Sequence, residues 1–233
     1  MDFDYSVVAN EHGFYCMPDH YLGRDITDIL ASGGVYEPAT LNFLSRHLGH
    51  GDVVSGGAFI GDFLPALRRA MAPNTMLHTF EPVPTSFQAA QKTIALNKLT
   101  GVTIHPVGVG EDVSKMPLLV KRPSGKAISA GERVVETLEA DGDRVLEIDI
   151  QTLDMLVPEG RPVSLIHLDV EGFEPAAVTG ARRIISEYRP MVVTEGEKAW
   201  KTRAILNLLN DHYLTGEYKL MGAIENNSIF VAQ

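Results

Sequence analysis

The feature that most constrains the fold of this chain is a regular alternation of strand-like and helix-like segments between Gly51 and His212. Short apolar runs of strand length are followed by stretches of helix length, and glycine or proline stands between many of them. This alternation predicts an α/β fold with a mostly parallel, doubly wound sheet and helices on both faces. The predicted strands are residues 52–57, 75–80, 102–109, 163–170 and 191–195, and the predicted helices are residues 62–71, 85–97, 174–187 and 199–212.

Two predicted hairpins interrupt the alternation. The first joins residues 133–138 to residues 144–150 through a turn at residues 140–143, between the third and fourth parallel strands. The second joins residues 217–223 to residues 228–232 and ends the sheet with an antiparallel strand. A dinucleotide-binding fold would instead continue with parallel strands and crossover helices.

The first 50 residues follow a different pattern and are predicted to form an N-terminal cap or helical segment. The domain that carries the sheet is then residues 51–233. Within this cap, we expect residues 1–32 to cover a pocket or to contribute to a homodimer. Its predicted elements are strands at residues 6–10 and 14–17 and helices at residues 24–31 and 38–48.

Composition narrows the class of protein. The chain has 233 residues, of which 45% are hydrophobic and 21% are charged, and this suits one folded domain. A net charge of −10 disfavours nucleic acid and membrane partners, because phosphates and anionic lipids are repelled. Cys16 has no second cysteine to pair with, and neither a signal peptide nor an apolar run of about 20 residues is visible. These features predict a cytoplasmic protein.

A glycine-containing turn follows the first strand of the alternating region, in the segment Val54–Phe63. Gly57 allows the backbone to turn sharply, and Gly61 allows the next helix to pack closely against the strand. Amide groups at such a turn bind ligand oxygens, although glycine there also serves geometry alone. The second glycine of the dinucleotide-binding pattern is replaced by Ala58.

Glu81 ends the second strand, twenty residues after Gly61. A carboxylate at this place accepts hydrogen bonds from both hydroxyls of a ribose. The alternative is a surface carboxylate that precedes the turn at Pro82. Together, the glycine turn and Glu81 predict an adenosine-containing ligand at the carboxyl edge of the sheet, either NAD or S-adenosylmethionine. The closing hairpin favours S-adenosylmethionine.

An acidic turn follows the fourth parallel strand, from His167 to Glu174. Strand alternation places His167, Asp169 and Glu171 on one face, towards the edge where open α/β sheets bind ligands. Charges within an apolar strand are costly unless they are used. In a methyl transfer, one of these side chains would serve as the base for an acceptor hydroxyl, or two carboxylates would hold a divalent cation.

Eight segments, in this order, resemble the FkbM family of methyltransferases over roughly residues 33–233. They are Tyr36-Glu37-Pro38, Gly51-Asp52-Val53-Val54, Gly57-Ala58-x-x-Gly61, Phe80-Glu81-Pro82, Thr152-Leu153-Asp154, Leu168-Asp169-Val170-Glu171-Gly172-x-Glu174, Gly180-Ala181 and Arg189-Pro190.

The resemblance implies a class I methyltransferase, Rossmann-like fold and S-adenosylmethionine as the methyl donor. It also implies O-methylation of a hydroxyl on a sugar or small natural product, with Asp169 and Glu171 facing the transfer site. No metal ligand is assigned. The donor-binding residues predicted from the motifs and the resemblance together are Glu37, Ser55, Gly57, Ala58, Gly61, Glu81, Pro82, Val107 and Gly108.

The chain differs from the family pattern at three positions. The family usually has an acid at Ser55, asparagine at Phe59 and lysine at His167. By the resemblance, the acid helps to hold the amino-acid end of the donor, so its absence implies weaker binding, a substitute such as Glu37 or Asp62, or a reshaped pocket. The changes at Ser55 and Phe59 support a second hypothesis, a protein that binds the donor without transferring its methyl group. A nucleotide-dependent oxidoreductase is the third hypothesis, supported only by the glycine turn and Glu81.

Overall fold

A seven-stranded sheet forms the centre of the protein in a computed structural model, which describes residues 3–121, 133–134, 144–196, 198–211 and 218–233. Five neighbouring strands run parallel, and two antiparallel strands complete one edge. In spatial order the strands are β12 (Tyr218–Ile224), β13 (Asn227–Ala232), β11 (Met191–Glu195), β10 (Val163–Leu168), β3 (Asp52–Gly56), β4 (Leu77–Phe80) and β5 (Val102–His105).

Helices cover both faces of this sheet. Side chains that alternate along the strands enter two separate cores, so that Val53 and Val193 face one side while Val54 and Val192 face the other. The predicted doubly wound α/β architecture is therefore confirmed. The flanking helices are α2 (Pro38–Arg46), α3 (Leu64–Ala70), α4 (Pro84–Leu96), α5 (Leu153–Leu156), α6 (Glu174–Thr179), α7 (Arg182–Tyr188) and α8 (Ala199–Asp211).

The predicted closing hairpin is also confirmed. β13 pairs antiparallel with β11, and β12 pairs with the outer edge of β13. The turn at Glu225 is tied to the start of α2, because the Glu225 carboxylate accepts hydrogen bonds from the amides of Ala39 (3.2 Å) and Thr40 (2.9 Å). These contacts fix the end of the chain beside the carboxyl edge of the sheet.

Two predicted elements are divided in the structure. The predicted strand 102–109 ends at His105, since Pro106 has no amide hydrogen for the ladder, and β6 (Gly108–Val109) belongs to a second sheet. The predicted helix 174–187 breaks between α6 and α7. A side chain at Gly180 would meet the main-chain oxygen of Gly110, so the backbone passes too closely there for any other residue.

The first predicted hairpin is paired differently in the structure. β9 (Arg144–Gln151) pairs with β7 (Ser114–Lys121), a strand that sequence reasoning missed, and the short β8 (Arg133–Val134) pairs with the other edge of β7. The expected pairing of residues 133–138 with 144–150 is therefore wrong for the described residues of these strands. The predicted turn at residues 140–143 lies outside the described residues.

The N-terminal segment forms a hairpin of β1 (Tyr5–Asn10) and β2 (Gly13–Pro18), then a 3-10 turn (Asp19–Tyr21) and α1 (Asp25–Ala31). The hairpin packs on α4, where the Cys16 amide donates to Thr93 Oγ1 at 3.0 Å. The division into a cap of residues 1–50 and a domain of residues 51–233, and the homodimer, stay predictions. Within the described ranges, no helix combines the length and apolar character needed to cross a bilayer.

Candidate functional site

A cavity of about 370 Å³ opens at the carboxyl edge of the parallel strands. Its walls come from the residues that follow β3, β4 and β10, from the last residue of β11 and from the start of α1. The volume lies within the roughly 300–1,000 Å³ typical of small-ligand sites, and the location is the one at which open α/β sheets bind ligands.

Glu81 is held in a fixed orientation at one end of this cavity. Its side chain is 7% exposed, and its two oxygens accept hydrogen bonds from the amides of Phe59 (2.9 Å) and Val83 (2.8 Å). A carboxylate oxygen can accept more than one hydrogen bond, and an oriented, buried carboxylate is the kind of group that accepts hydroxyl donors. This arrangement joins the glycine turn directly to the acid, and it suits a ribose.

The glycine turn after β3 packs closely against the turn after β10. Gly57 has a φ of +78°, and a side chain there would collide with the main-chain oxygen of Asp169. The Ala58 amide donates to the Phe80 carbonyl at 3.0 Å. Gly57 therefore permits close contact between the turn after β3 and the turn after β10, which brings Asp169 into the site.

Phe59 adopts the left-handed backbone region, with a φ of 45°. Asparagine tolerates this conformation well and phenylalanine does not, which gives a backbone reason for the asparagine usual in the family. Here the ring of Phe59 stacks on Tyr21, with centroids 5.4 Å apart and planes 9° apart. Tyr21 is held in turn by Ser86 through a 2.8 Å hydroxyl contact, and the Arg24 guanidinium lies 4.1 Å above its ring.

Substitutions at Tyr21 test whether its stacking on Phe59 supports the glycine turn. Tyr21→Phe keeps the ring and loses the Ser86 hydrogen bond, so we expect a loss of about 1 kcal/mol in unfolding free energy and unchanged affinity for the ligand of the cavity. Tyr21→Leu also loses the ring contacts, worth roughly 1–2 kcal/mol more, and should weaken ligand binding several-fold. Urea unfolding and calorimetric titration measure both quantities. Ligand affinity in Tyr21→Leu equal to that of the unmodified protein would show that the stack does not support the turn.

Two carboxyl groups meet at the other end of the cavity. Asp169 follows β10, Glu195 ends β11, and the two side chains share a hydrogen bond. Burial, followed by the negative charges of Glu195 and Glu171, raises the pKa of Asp169 well above its ordinary range. Burial and the charge of Glu174 raise the pKa of Glu195. The pair is therefore suited to hold a proton and to attract a cation.

The turn after β10 differs from the sequence prediction. The strand ends at Leu168 and not at Val170, so Asp169 lies with Glu171 in the turn, where Glu171 has a φ of 52°. The buried Glu174 stabilises this turn, because its carboxylate accepts hydrogen bonds from the amides of Val170 (3.2 Å) and Gly172 (3.0 Å). Glu171 itself is exposed and lines the cavity.

A second cavity of about 60 Å³ adjoins the first behind the glycine turn. His167 and Ser55 line it side by side, with His167 Nδ1 3.3 Å from Ser55 Oγ. Burial lowers the pKa of His167 to about 4, so its ring is neutral at pH 7, and it stacks on Phe63 with centroids 5.5 Å apart. Asp62 lines the same cavity.

The structure distributes the predicted site residues among three locations. Those that line the larger cavity are Gly57, Glu81, Pro82, Gly108, Asp169 and Glu171. Those that line the smaller cavity are Ser55, Gly57, Ala58, His167 and Asp169. Glu37, Gly61 and Val107 line neither of these two cavities. Glu37 accepts a 2.8 Å hydrogen bond from the Asn227 amide, and this links α2 to the closing hairpin.

Sequence reasoning missed several residues of the larger cavity. Glu195 stands at the end of a predicted strand, and this position alone could have identified it as a site residue. Tyr36 belongs to one of the segments that carry the family resemblance, but no role was assigned to it. Arg24 and Ile26 come from the N-terminal segment, and Asn226 from the turn of the closing hairpin. The sequence pattern named none of these three as site residues, although the N-terminal segment was expected to cover a pocket.

Comparison with known proteins identifies relatives of this chain. The sequence model of the Methyltransferase FkbM domain matches residues 55–213. Methyltransferase 1 of Beauveria bassiana (strain ARSEF 2860) is 27% identical over 143 residues, which cover 55% of this chain and 57% of that protein. The chain therefore spans less than two thirds of the length of this curated relative.

Two solved structures show the same fold. The FkbM methyltransferase from Methylobacillus flagellatus KT matches with a TM-score of 0.54 and 20% identity, covering 78% of this chain and 43% of that one. The Pyrococcus abyssi tRNA (uracil-54, C5)-methyltransferase, in complex with S-adenosyl-L-homocysteine, matches with a TM-score of 0.52 and 9% identity, covering 100% and 44%. The class I methyltransferase fold expected from the resemblance is confirmed.

The family match covers more than half of the chain, and it includes the glycine turn, Glu81 and the Asp169 turn. The chain belongs to the FkbM methyltransferase family.

Proposed function

We propose that this protein transfers the methyl group of S-adenosylmethionine to a hydroxyl of a sugar or small natural product. The observation that carries the proposal is the larger cavity, in which Glu81 and the carboxyl pair of Asp169 and Glu195 stand at opposite ends. S-adenosylmethionine supplies an electrophilic methyl group on a positively charged sulfur. The ribose is recognised by Glu81, and the positive charge is favoured by the carboxyl pair.

The apolar residues beside Glu81 support the same ligand, because they suit its adenine. Val83 and Leu118 belong to one small apolar core together with Ile150. Val83, Leu118, Ile150 and Gly108 line the cavity near Glu81. A side chain at Gly108 would press on Ile150, so glycine there leaves the apolar wall undisturbed. An apolar wall beside a ribose-binding acid suits a planar base.

Asp169 is the residue best placed to take the proton of the acceptor hydroxyl. Its raised pKa makes the Asp169 carboxylate a stronger base than that of an ordinary aspartate. As the acceptor oxygen bonds to the methyl carbon, the hydroxyl proton passes to Asp169 and the sulfur keeps the electron pair of the broken bond. Glu195 keeps Asp169 in position through their shared hydrogen bond. His167, buried in the smaller cavity, is a less accessible base.

The acidic lining also bears on the acceptor. Asp169, Glu171, Glu195, Glu81 and Asp25 all line the larger cavity, and the net charge of the chain is −10. Phosphate-rich acceptors are repelled by such a site, whereas neutral hydroxyl compounds are not. This supports a neutral small-molecule acceptor over nucleic acid. The oxidoreductase hypothesis has no support left beyond the glycine turn and Glu81.

Transfer of an isotope-labelled methyl group separates these possibilities. The protein is incubated with methyl-labelled S-adenosylmethionine and a cell extract, which is then separated into small-molecule, RNA and protein fractions. We expect the label in the small-molecule fraction, on an oxygen. Label on RNA or protein contradicts the proposed acceptor. Donor binding without label in any fraction would support the hypothesis of an inactive binding protein.

A further inference from the structure

The smaller cavity lies directly behind the glycine turn and shares a wall with the larger cavity. Gly57, Phe59, Asp169 and Tyr36 line both. Its volume of about 60 Å³ equals about four or five water-sized spheres. A short polar group that extends from a ligand in the larger cavity would fit there.

Asp62 is the charged group that belongs to this smaller cavity alone. Its side chain is 9% exposed, and burial raises the pKa of its carboxyl to about 7. The carboxylate accepts a hydrogen bond from its own main-chain amide. Within the described parts of the chain, no lysine or arginine forms an ion pair with it. A buried carboxylate in this setting is stabilised by a cationic ligand group.

The other polar groups near the glycine turn are less suited to a cation. Ser55, at the end of β3, carries no charge and lies beside the neutral ring of His167. Glu37 lines neither cavity and is engaged by Asn227. Asp169 belongs to the shared wall and is paired with Glu195.

We propose that the smaller cavity receives the amino-acid end of S-adenosylmethionine and that the Asp62 carboxylate binds its α-ammonium group. This inference rests on the proposed function and selects Asp62 over Glu37, the two acids that the sequence offered as substitutes at Ser55. The negative charge that binds the ammonium then comes from Asp62, in the segment before α3. The uncharged Ser55, at the end of β3, does not supply it. The neutral His167 adds no positive charge that would repel the ammonium.

Calorimetric titration with two related ligands tests this assignment. S-adenosylhomocysteine carries the amino-acid end, and 5′-methylthioadenosine lacks it. We expect Asp62→Asn to weaken S-adenosylhomocysteine binding by about 10- to 100-fold, the loss of one charge-assisted hydrogen bond, and 5′-methylthioadenosine binding less than twofold. Asp149→Asn, an exposed aspartate outside the site, serves as the matched control and should change neither affinity.

Several results would overturn the assignment. Equal losses for the two ligands would show that Asp62 acts through the fold, and no loss would show that it does not bind the ligand. A selective loss in Glu37→Gln in place of Asp62→Asn would move the ammonium to Glu37. If the unmodified protein binds neither ligand, that result contradicts the proposed function as well as this inference.

A measurement on the unmodified protein covers the case in which Asp62→Asn does not fold. An S-adenosylhomocysteine analogue without the α-amino group should bind at least tenfold more weakly than S-adenosylhomocysteine itself. Equal affinity for the two would contradict a role of the buried carboxylate in binding the ammonium.

Discussion

Replacing Glu81 with glutamine is expected to weaken S-adenosylmethionine binding by at least tenfold. The carboxylate is oriented by the amides of Phe59 and Val83, and Glu81 lines the cavity. Loss of a hydrogen bond to a charged group costs roughly 1.5–3 kcal/mol, which corresponds to about 10- to 150-fold in affinity. A glutamine amide also points a donor towards one of these partners, so the glycine turn loses part of its support. Calorimetric titration measures the change.

Glu147→Gln is the matched control for this result. Glu147 is exposed and pairs with Lys115 on the surface, so its substitution should leave donor affinity unchanged. A Glu81→Gln protein with unchanged affinity would show that the ribose does not lie on Glu81. A protein that loses affinity only in proportion to its loss of stability would place Glu81 in the support of the turn alone.

The second large effect is expected for Asp169→Asn. We expect turnover to fall by about 100-fold or more, since an amide cannot accept the hydroxyl proton and general bases contribute roughly 10²–10⁴. Donor affinity should fall less than tenfold. Stability should not decrease, because the substitution removes one of two buried, mutually repelling carboxyl groups. Steady-state kinetics, titration and thermal unfolding measure these three quantities.

The pH dependence of Asp169 gives an independent check. Since the folded-state pKa of Asp169 is raised, the group is protonated at pH values where an ordinary aspartate is ionised. Turnover should therefore fall as the pH is lowered through this raised pKa, and Asp169→Asn should lose this limb of the profile. The contribution of Asp169 to stability is present at low pH and is lost as pH rises from 3.8 through the raised pKa.

Two comparisons decide between base catalysis and its alternatives. Asp149→Asn, at an exposed aspartate, should keep full turnover. Activity that survives a chelator supports a base, whereas activity abolished by it and restored by a divalent cation would support a metal held by carboxylates. Equal losses of turnover and donor affinity in Asp169→Asn would instead indicate that Asp169 binds the donor.

The parallel sheet could be predicted from the sequence because its strands are buried on both faces. Neighbouring residues such as Val53 and Val54 enter opposite cores, so strands appear as short apolar runs between helices. The strand β7 could not be predicted in this way. Pro117 interrupts its apolar run, which argues against a strand, and its pairing with β9 depends on residues about 30 positions away.

The break of the predicted helix 174–187 also depends on tertiary contact. Gly180 packs against the main-chain oxygen of Gly110, and the Asp154 carboxylate accepts hydrogen bonds from the amides of Arg183 (2.7 Å) and Ile184 (3.0 Å) at the start of α7. The sequence shows the glycine but not its distant partners. Periodicity alone therefore joined two helices into one.

The site residues that stand at the ends of parallel strands could be predicted from the sequence. Glu81 and Asp169 follow parallel strands, and such residues meet at one edge of the sheet. The same rule would have identified Glu195, which ends β11 but belongs to no motif and was missed. His167 shows the limit of alternation, because the pattern gives the face of a residue but not its depth, and the structure places His167 in the smaller cavity. The contribution of Tyr21 and Arg24 depends on how the N-terminal segment packs.

Titration of the unmodified protein with S-adenosylmethionine and with NAD tests whether the larger cavity is a methyl-donor site. Both ligands carry an adenosine ribose that suits Glu81, but NAD also carries a pyrophosphate, which the acidic lining of the cavity repels. We expect one saturable site for S-adenosylmethionine in a calorimetric titration and no measurable binding of NAD. Binding of NAD in the absence of S-adenosylmethionine binding would contradict this role of the cavity.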